Sequence, residues 1–112
     1  MIDDEAGQVA VEEEAGCSVA GWFKDVRAAI HKNHGLLTAS RHSIDEAAFW
    51  FIALERACQQ QLLVEATGIT PTMVTPERAR YSREHVGSPF IGWLRFQTIY
   101  DQLVVQQPDM FE

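Results

Sequence analysis

The 112-residue sequence predicts an α/β fold, with two or three antiparallel strands followed by three helices. Three observations carry this expectation. A short alternating segment turns back on itself across Asn33-His34-Gly35. A long apolar run opens behind a serine cap at Ser43. The pairs Thr75-Pro76 and Ser88-Pro89 then each announce a further helix, because a capping hydroxyl followed by proline suits the first turn.

In chain order, residues 1–16 (MIDDEAGQVAVEEEAG) are acidic and rich in alanine and glycine, and partial disorder is expected there. Within them Gln8-Val9-Ala10-Val11 reads as a short strand, and Glu12-Glu13-Glu14 as a solvated face or frayed helix start. The segment from Ala20 to Asp25 reads as a turn. Residues 26–32 (VRAAIHK) alternate around Val26, Ala28 and Ile30 and read as a strand, with Leu36 to Ala39 paired to it. Asn33 and Gly35 both tolerate positive φ, which suits the tight connection. Ser43-Ile44-Asp45-Glu46 matches a capping box, in which serine and glutamate each satisfy an orphan backbone donor of the other. That helix runs to Gly68, and its first half, Phe49-Trp50-Phe51-Ile52, is apolar all round, so it needs cover on more than one face. Two more helices follow, one ending at Gly87 and the other running to Pro108. So short a sheet reads as part of a larger layered structure.

Composition excludes several functions. Apolar residues make up 46% and charged residues 22%, enough for a core, but the net charge of -7 argues against a general nucleic-acid binder, which needs a basic patch to neutralise phosphate. The same charge argues against a polybasic membrane anchor. Ile2-Asp3-Asp4-Glu5 has the wrong sign for a signal peptide, and no apolar run reaches the roughly 20 residues of a bilayer span. Cys17 and Cys58 have no CxxC spacing and read as free thiols of a reducing cytoplasm.

Taken in order, NHGLLT, SIDEAAFWFIALERACQQQLLVEATG and REHVGSPFIGWLRFQTIYDQL resemble the class II aldolase/adducin family, most of all its bacterial branch near the adducin head. The resemblance covers nearly the whole chain, from about Asp4 to Glu112. It implies the C-terminal half of a three-layer α/β/α class II aldolase-like fold, with the N-terminal half absent, as in a truncated product or a piece of a longer protein. Enzyme members of that family hold zinc through a His-x-His pair and the histidine of the NHG turn. Zinc in such a site polarises the carbonyl and holds the enediolate formed as the carbon–carbon bond breaks.

Carried over residue by residue, only His34 falls on a metal-ligand position. The other histidines are His31, His42 and His85, and no His-x-His spacing occurs. His34 therefore has three readings: one position of an incomplete zinc site, a polar turn residue, or a ligand completed by another chain. His31, three residues earlier on the strand, is expected to point the other way. His42 reads as a surface loop residue and His85 as an imidazole near a helix C-terminus. Trp50, Phe51, Trp93, Phe96 and Tyr100 read as core or subunit-interface packing. By the resemblance, Tyr100, next to Asp101, is a candidate proton donor. Arg78, Arg80 and Arg83 form a basic cluster, read as a solvated helix face that could attract a substrate phosphate. The implied function is zinc-dependent aldol cleavage of small phosphorylated sugars or hydroxy acids, with this chain inactive alone. The alternative is a metal-free, adducin-like oligomerisation module. The partners implied are further copies of the chain or the absent half, and a small-molecule substrate, with no nucleic acid and no membrane.

Overall fold

The computed structural model describes residues 2–3, 13–24 and 26–111. The elements are β1 (Ile2–Asp3), α1 (Glu13–Trp22), β2 (Ala28–His31), β3 (Gly35–Thr38), α2 (Ile44–Ala66), α3 (Pro76–Val86), α4 (Pro89–Gln106) and a closing 3-10 turn, Pro108–Phe111. The three strands form one sheet in the order β1-β2-β3.

β2 and β3 pair antiparallel, with Ala29 opposite Leu37 and His31 opposite Gly35. Asn33 at φ 64 and Gly35 at φ 108 bend the chain between them, and the His34 amide donates to the His31 carbonyl at 3.0 Å. These are the left-handed positions that Asn and Gly occupy most readily. β1 was not foreseen. It joins the other edge of β2, and that pairing is parallel, with Ile2 opposite Ile30. The expected strand at Gln8 to Val11 lies outside the described residues.

A helix also stands where the sequence suggested a turn. Ala20, Gly21 and Trp22 end α1. Gly16 and Gly21 are weak helix formers and hid the element. Glu13 and Glu14 lie in its first turn, exposed, where carboxylates suit the positive end of the helix dipole. Glu13 and Glu14, within the stretch that reads as a solvated face or frayed helix start, open this helix.

The remaining helices start where their caps predict. Ser43, Thr75 and Ser88 each accept from the backbone amide three residues on, and Pro76 and Pro89 occupy the first turns that follow. Gly68, at φ 69, closes α2. The helix α2 is covered on two sides, by β3 and by α4. Gly92 makes the second contact close: a Cβ there would lie 2.9 Å from both Glu46 Cγ and Trp50 Nε1.

The described core is thin. Ala29 is its buried apolar residue, while Leu62, Leu63, Ile69, Met73, Val74 and Phe90 are all more than 60% exposed. The accessible surface is 9206 Å², against roughly 6200 Å² for a compact 12.6 kDa chain. The radius of gyration, 16.6 Å, likewise exceeds the roughly 13 Å of a compact domain this long. No helix among the described residues is long and apolar enough to cross a membrane.

Candidate functional site

Two polar centres occupy opposite ends of the β2–β3 hairpin. At its tip, His34 is exposed and its ring stacks on that of His31, with centroids 4.5 Å apart and planes 22° apart. Trp22 meets His31 edge-on at 5.4 Å. The expectation that the two histidines diverge is therefore corrected. Side-chain alternation holds along a strand, but the left-handed Asn33 reverses the chain between them and cancels it.

Zinc requires ring nitrogens aimed at one point from about 2.0–2.1 Å. Two nearly parallel stacked rings aim their in-plane lone pairs side by side instead. Among the described residues no three His, Cys, Asp or Glu side chains gather to hold a metal. The described residues therefore do not fit a complete zinc site. His34 brings one imidazole, and His31 would have to turn to join it.

The second centre is Glu46, in sequence no more than half of a capping-box pattern. One half forms: the Glu46 amide donates to Ser43 Oγ at 3.1 Å. The other does not. The Ser43 amide donates to Ser40 Oγ at 3.2 Å, as does the His42 amide at 2.9 Å, so Ser40 caps the loop. The Glu46 side chain is freed to turn inward, where it is fully buried. It accepts from the Ser40 hydroxyl, from Trp50 Nε1 at 3.2 Å, and from Arg27 Nε, 3.4 Å away in an ion pair. Arg27 also donates to the Gly87 carbonyl and lies 6.0 Å over the Trp50 ring. The node thus ties β2, the β3–α2 loop, α2 and the end of α3 together. Its signal in the sequence was an acid at the start of an otherwise apolar helical face.

Two cavities flank the node. A polar one of about 360 Å³ is walled by Lys24, Arg27, Ser40, Arg41, His42 and Arg83, among others. An apolar groove of about 500 Å³ runs along Phe49, Trp50, Ala53, Leu54 and Val86. Of the three arginines singled out on α3, Arg83 lines both cavities, whereas Arg78 borders a separate cleft with Tyr81. His42 is exposed on the loop, as expected, and reaches the polar cavity. His85 stays on its helix, where Nδ1 lies 2.8 Å from the Tyr81 carbonyl and the ring stacks on Tyr81. Tyr100 lines neither cavity and is 39% exposed. Trp50 and Phe96 are half-buried, while Phe51 and Trp93 are 42% and 40% exposed.

Comparison with known proteins agrees with the hairpin and α2 signature. The family described as "Class II Aldolase and Adducin N-terminal domain" matches residues 1–62. The chain is 33% identical over 110 residues to decarboxylase NovR of Streptomyces niveus, covering 98% of this chain and 40% of that protein. It is 32% identical over 110 residues to a 4-hydroxy-3-prenylphenylpyruvate oxygenase/4-hydroxy-3-prenylbenzoate synthase of Streptomyces roseochromogenus subsp. oscitans, covering 98% and 39%. A third relative is the meiotically up-regulated gene 14 protein of Schizosaccharomyces pombe, 37% identical over 78 residues, with 68% of this chain and 30% of that protein covered. No solved structure matches. The chain therefore spans about two fifths of the length of the first two relatives. With residues 1–62 matching the family and nearly the whole chain aligned to two relatives, this chain belongs to the class II aldolase/adducin family.

Proposed function

We propose that this chain is a class II aldolase-like unit that offers one zinc-ligand position, His34, and does not complete a zinc site alone. The observation that carries the reading is the hairpin tip, where His34 is exposed and has the stacked His31 ring as its imidazole neighbour. Lyase chemistry on a small phosphorylated sugar or hydroxy acid then requires the remaining ligands to come from residues other than those of this sequence. Two relatives are named for decarboxylation and for oxygenation of a prenylated phenylpyruvate. A 2-oxo acid is accordingly a second substrate class for such an assembly. Cys17 and Cys58 are both free thiols, and a reducing cytoplasm is the compartment we assign.

Zinc titration followed by imidazole NMR tests the role of His34. Weak, saturable shifts at His34, with any shift at the stacked His31 ring lost in His34→Ala, are the expected result. Shifts centred on His42 or His85, with His34 silent, would remove the assignment.

A second reading has its own support. Leu62 and Leu63 on α2 and Phe90 and Val105 on α4 are each more than 60% exposed, apolar surface of the kind an interface covers. We infer that the chain self-associates through its exposed apolar helix faces, as a metal-free adducin-like module would. Ultracentrifugation at tens of micromolar with chelator present should show oligomers, and a monomer throughout would reject this reading.

A further inference from the structure

The polar cavity and the apolar groove share two walls, Arg27 and Arg83. We propose that together they form a binding site for a small organic anion with a flat apolar body. The anionic head sits among Lys24, Arg41 and Arg83, and the body lies along Phe49, Trp50 and Leu54. The site stands apart from the histidine tip. The Ala39 amide bonds to the Arg27 carbonyl at the open end of the hairpin, and three strand steps, about 10 Å, separate Ala28 from His31. The proposal does not rest on the reading of His34.

Charge is the first argument. The protein carries a net charge of -7 and nine Lys and Arg residues, yet Lys24, Arg27, Arg41 and Arg83 all line the one polar cavity of about 360 Å³. Glu46 is the acid in that wall, and it is engaged by Arg27. Arg41 is steered by its bond to the Lys24 carbonyl at 3.1 Å, which holds the two basic segments together. Among the described residues, Lys24, Arg41 and Arg83 have no acidic partner. Guanidinium groups in a cavity wall suit a planar carboxylate or a phosphate, to which they donate in pairs.

The groove decides what the anion carries behind its charge. Its walls are aromatic and aliphatic, with the Phe49 and Trp50 rings 5.0 Å apart edge to face. About 500 Å³ falls in the usual range for small-molecule sites, where apolar walls bury the body and a few polar groups fix its orientation. Inorganic phosphate would leave that wall unused, and a neutral aromatic would leave the arginines unused.

The full chain is titrated at low ionic strength with 3-phenylpropionate, its neutral amide 3-phenylpropanamide, and inorganic phosphate. Calorimetry and the indole N–H resonance of Trp50 are the readouts. Saturable binding of the acid with a Trp50 shift is expected, with the amide and phosphate each weaker by roughly tenfold or more, the worth of one charge-assisted contact. Arg83→Gln and Lys24→Gln, both at exposed side chains, should each weaken the acid by a similar factor with unchanged circular dichroism. Equal affinity for acid and amide, phosphate binding as tight as the acid, or full affinity in the Arg83→Gln, Lys24→Gln double variant would each overturn the proposal.

Discussion

Replacing Glu46 by alanine should cost about 3–5 kcal/mol, the range for removing one partner of a buried charged network. Most of that comes from the groups left behind. Ser40 Oγ and Trp50 Nε1, both part-buried, lose their acceptor, and hydrogen bonds to a charged group contribute about 1.5–3 kcal/mol each. The Arg27 pair adds less, because that side chain is 43% exposed and water screens it. Glu46→Gln separates the two contributions. The amide oxygen can still accept from Trp50, but its NH2 then faces the Ser40 hydroxyl, whose oxygen already accepts from the His42 and Ser43 amides, so this variant should lose about 1–3 kcal/mol. Urea midpoints check both, with Trp50 fluorescence reporting the node. Equal stability of Glu46→Ala and the parent chain would show that the node does not hold the fold.

Gly92→Ala is the second large effect, expected at about 1–3 kcal/mol from overpacking. The new methyl would meet Glu46 Cγ and Trp50 Nε1 at 2.9 Å and Trp50 Cε2 at 3.3 Å. Both neighbours are side chains, which elsewhere would swing aside. Here one is fully buried and the two are hydrogen-bonded to each other, so α4 must move off α2 instead. The two effects are coupled. Once Glu46 is truncated one close contact is gone and Trp50 loses the bond that holds it, so Gly92→Ala should cost clearly less in the Glu46→Ala background. A double-mutant cycle by urea denaturation measures this directly, and strict additivity would contradict the close α2–α4 contact.

What the sequence revealed, and what it hid, divides along local and non-local lines. The hairpin was legible because Asn33 and Gly35 declare their own backbone conformation. The three later helices were legible because Ser43, Thr75-Pro76 and Ser88-Pro89 act within one turn. Of the first helix only a frayed start at Glu13-Glu14 was legible, since Gly16 and Gly21 weaken the local signal for the rest. Glu46 was misread for a related reason. The capping-box pattern is local, but Ser40 took over the Ser43 amide and Arg27, from another element, drew the carboxylate inward. The stacking of His31 on His34 was misjudged because alternation was carried across a turn that resets it. The cavity shared by Lys24, Arg41 and Arg83 draws on α1's end, a loop and α3, and no spacing in the chain announces it.

The NHG turn is part of the stretch that matches the family, and the proposed function rests on His34 at its tip. The most direct measurement is zinc content after equilibrium dialysis of the purified chain, read by elemental analysis beside a retro-aldol assay. The account predicts well under one zinc per chain and no cleavage, in both the parent and His34→Ala. One tightly held zinc per chain, accompanied by cleavage and lost in His34→Ala, would contradict it.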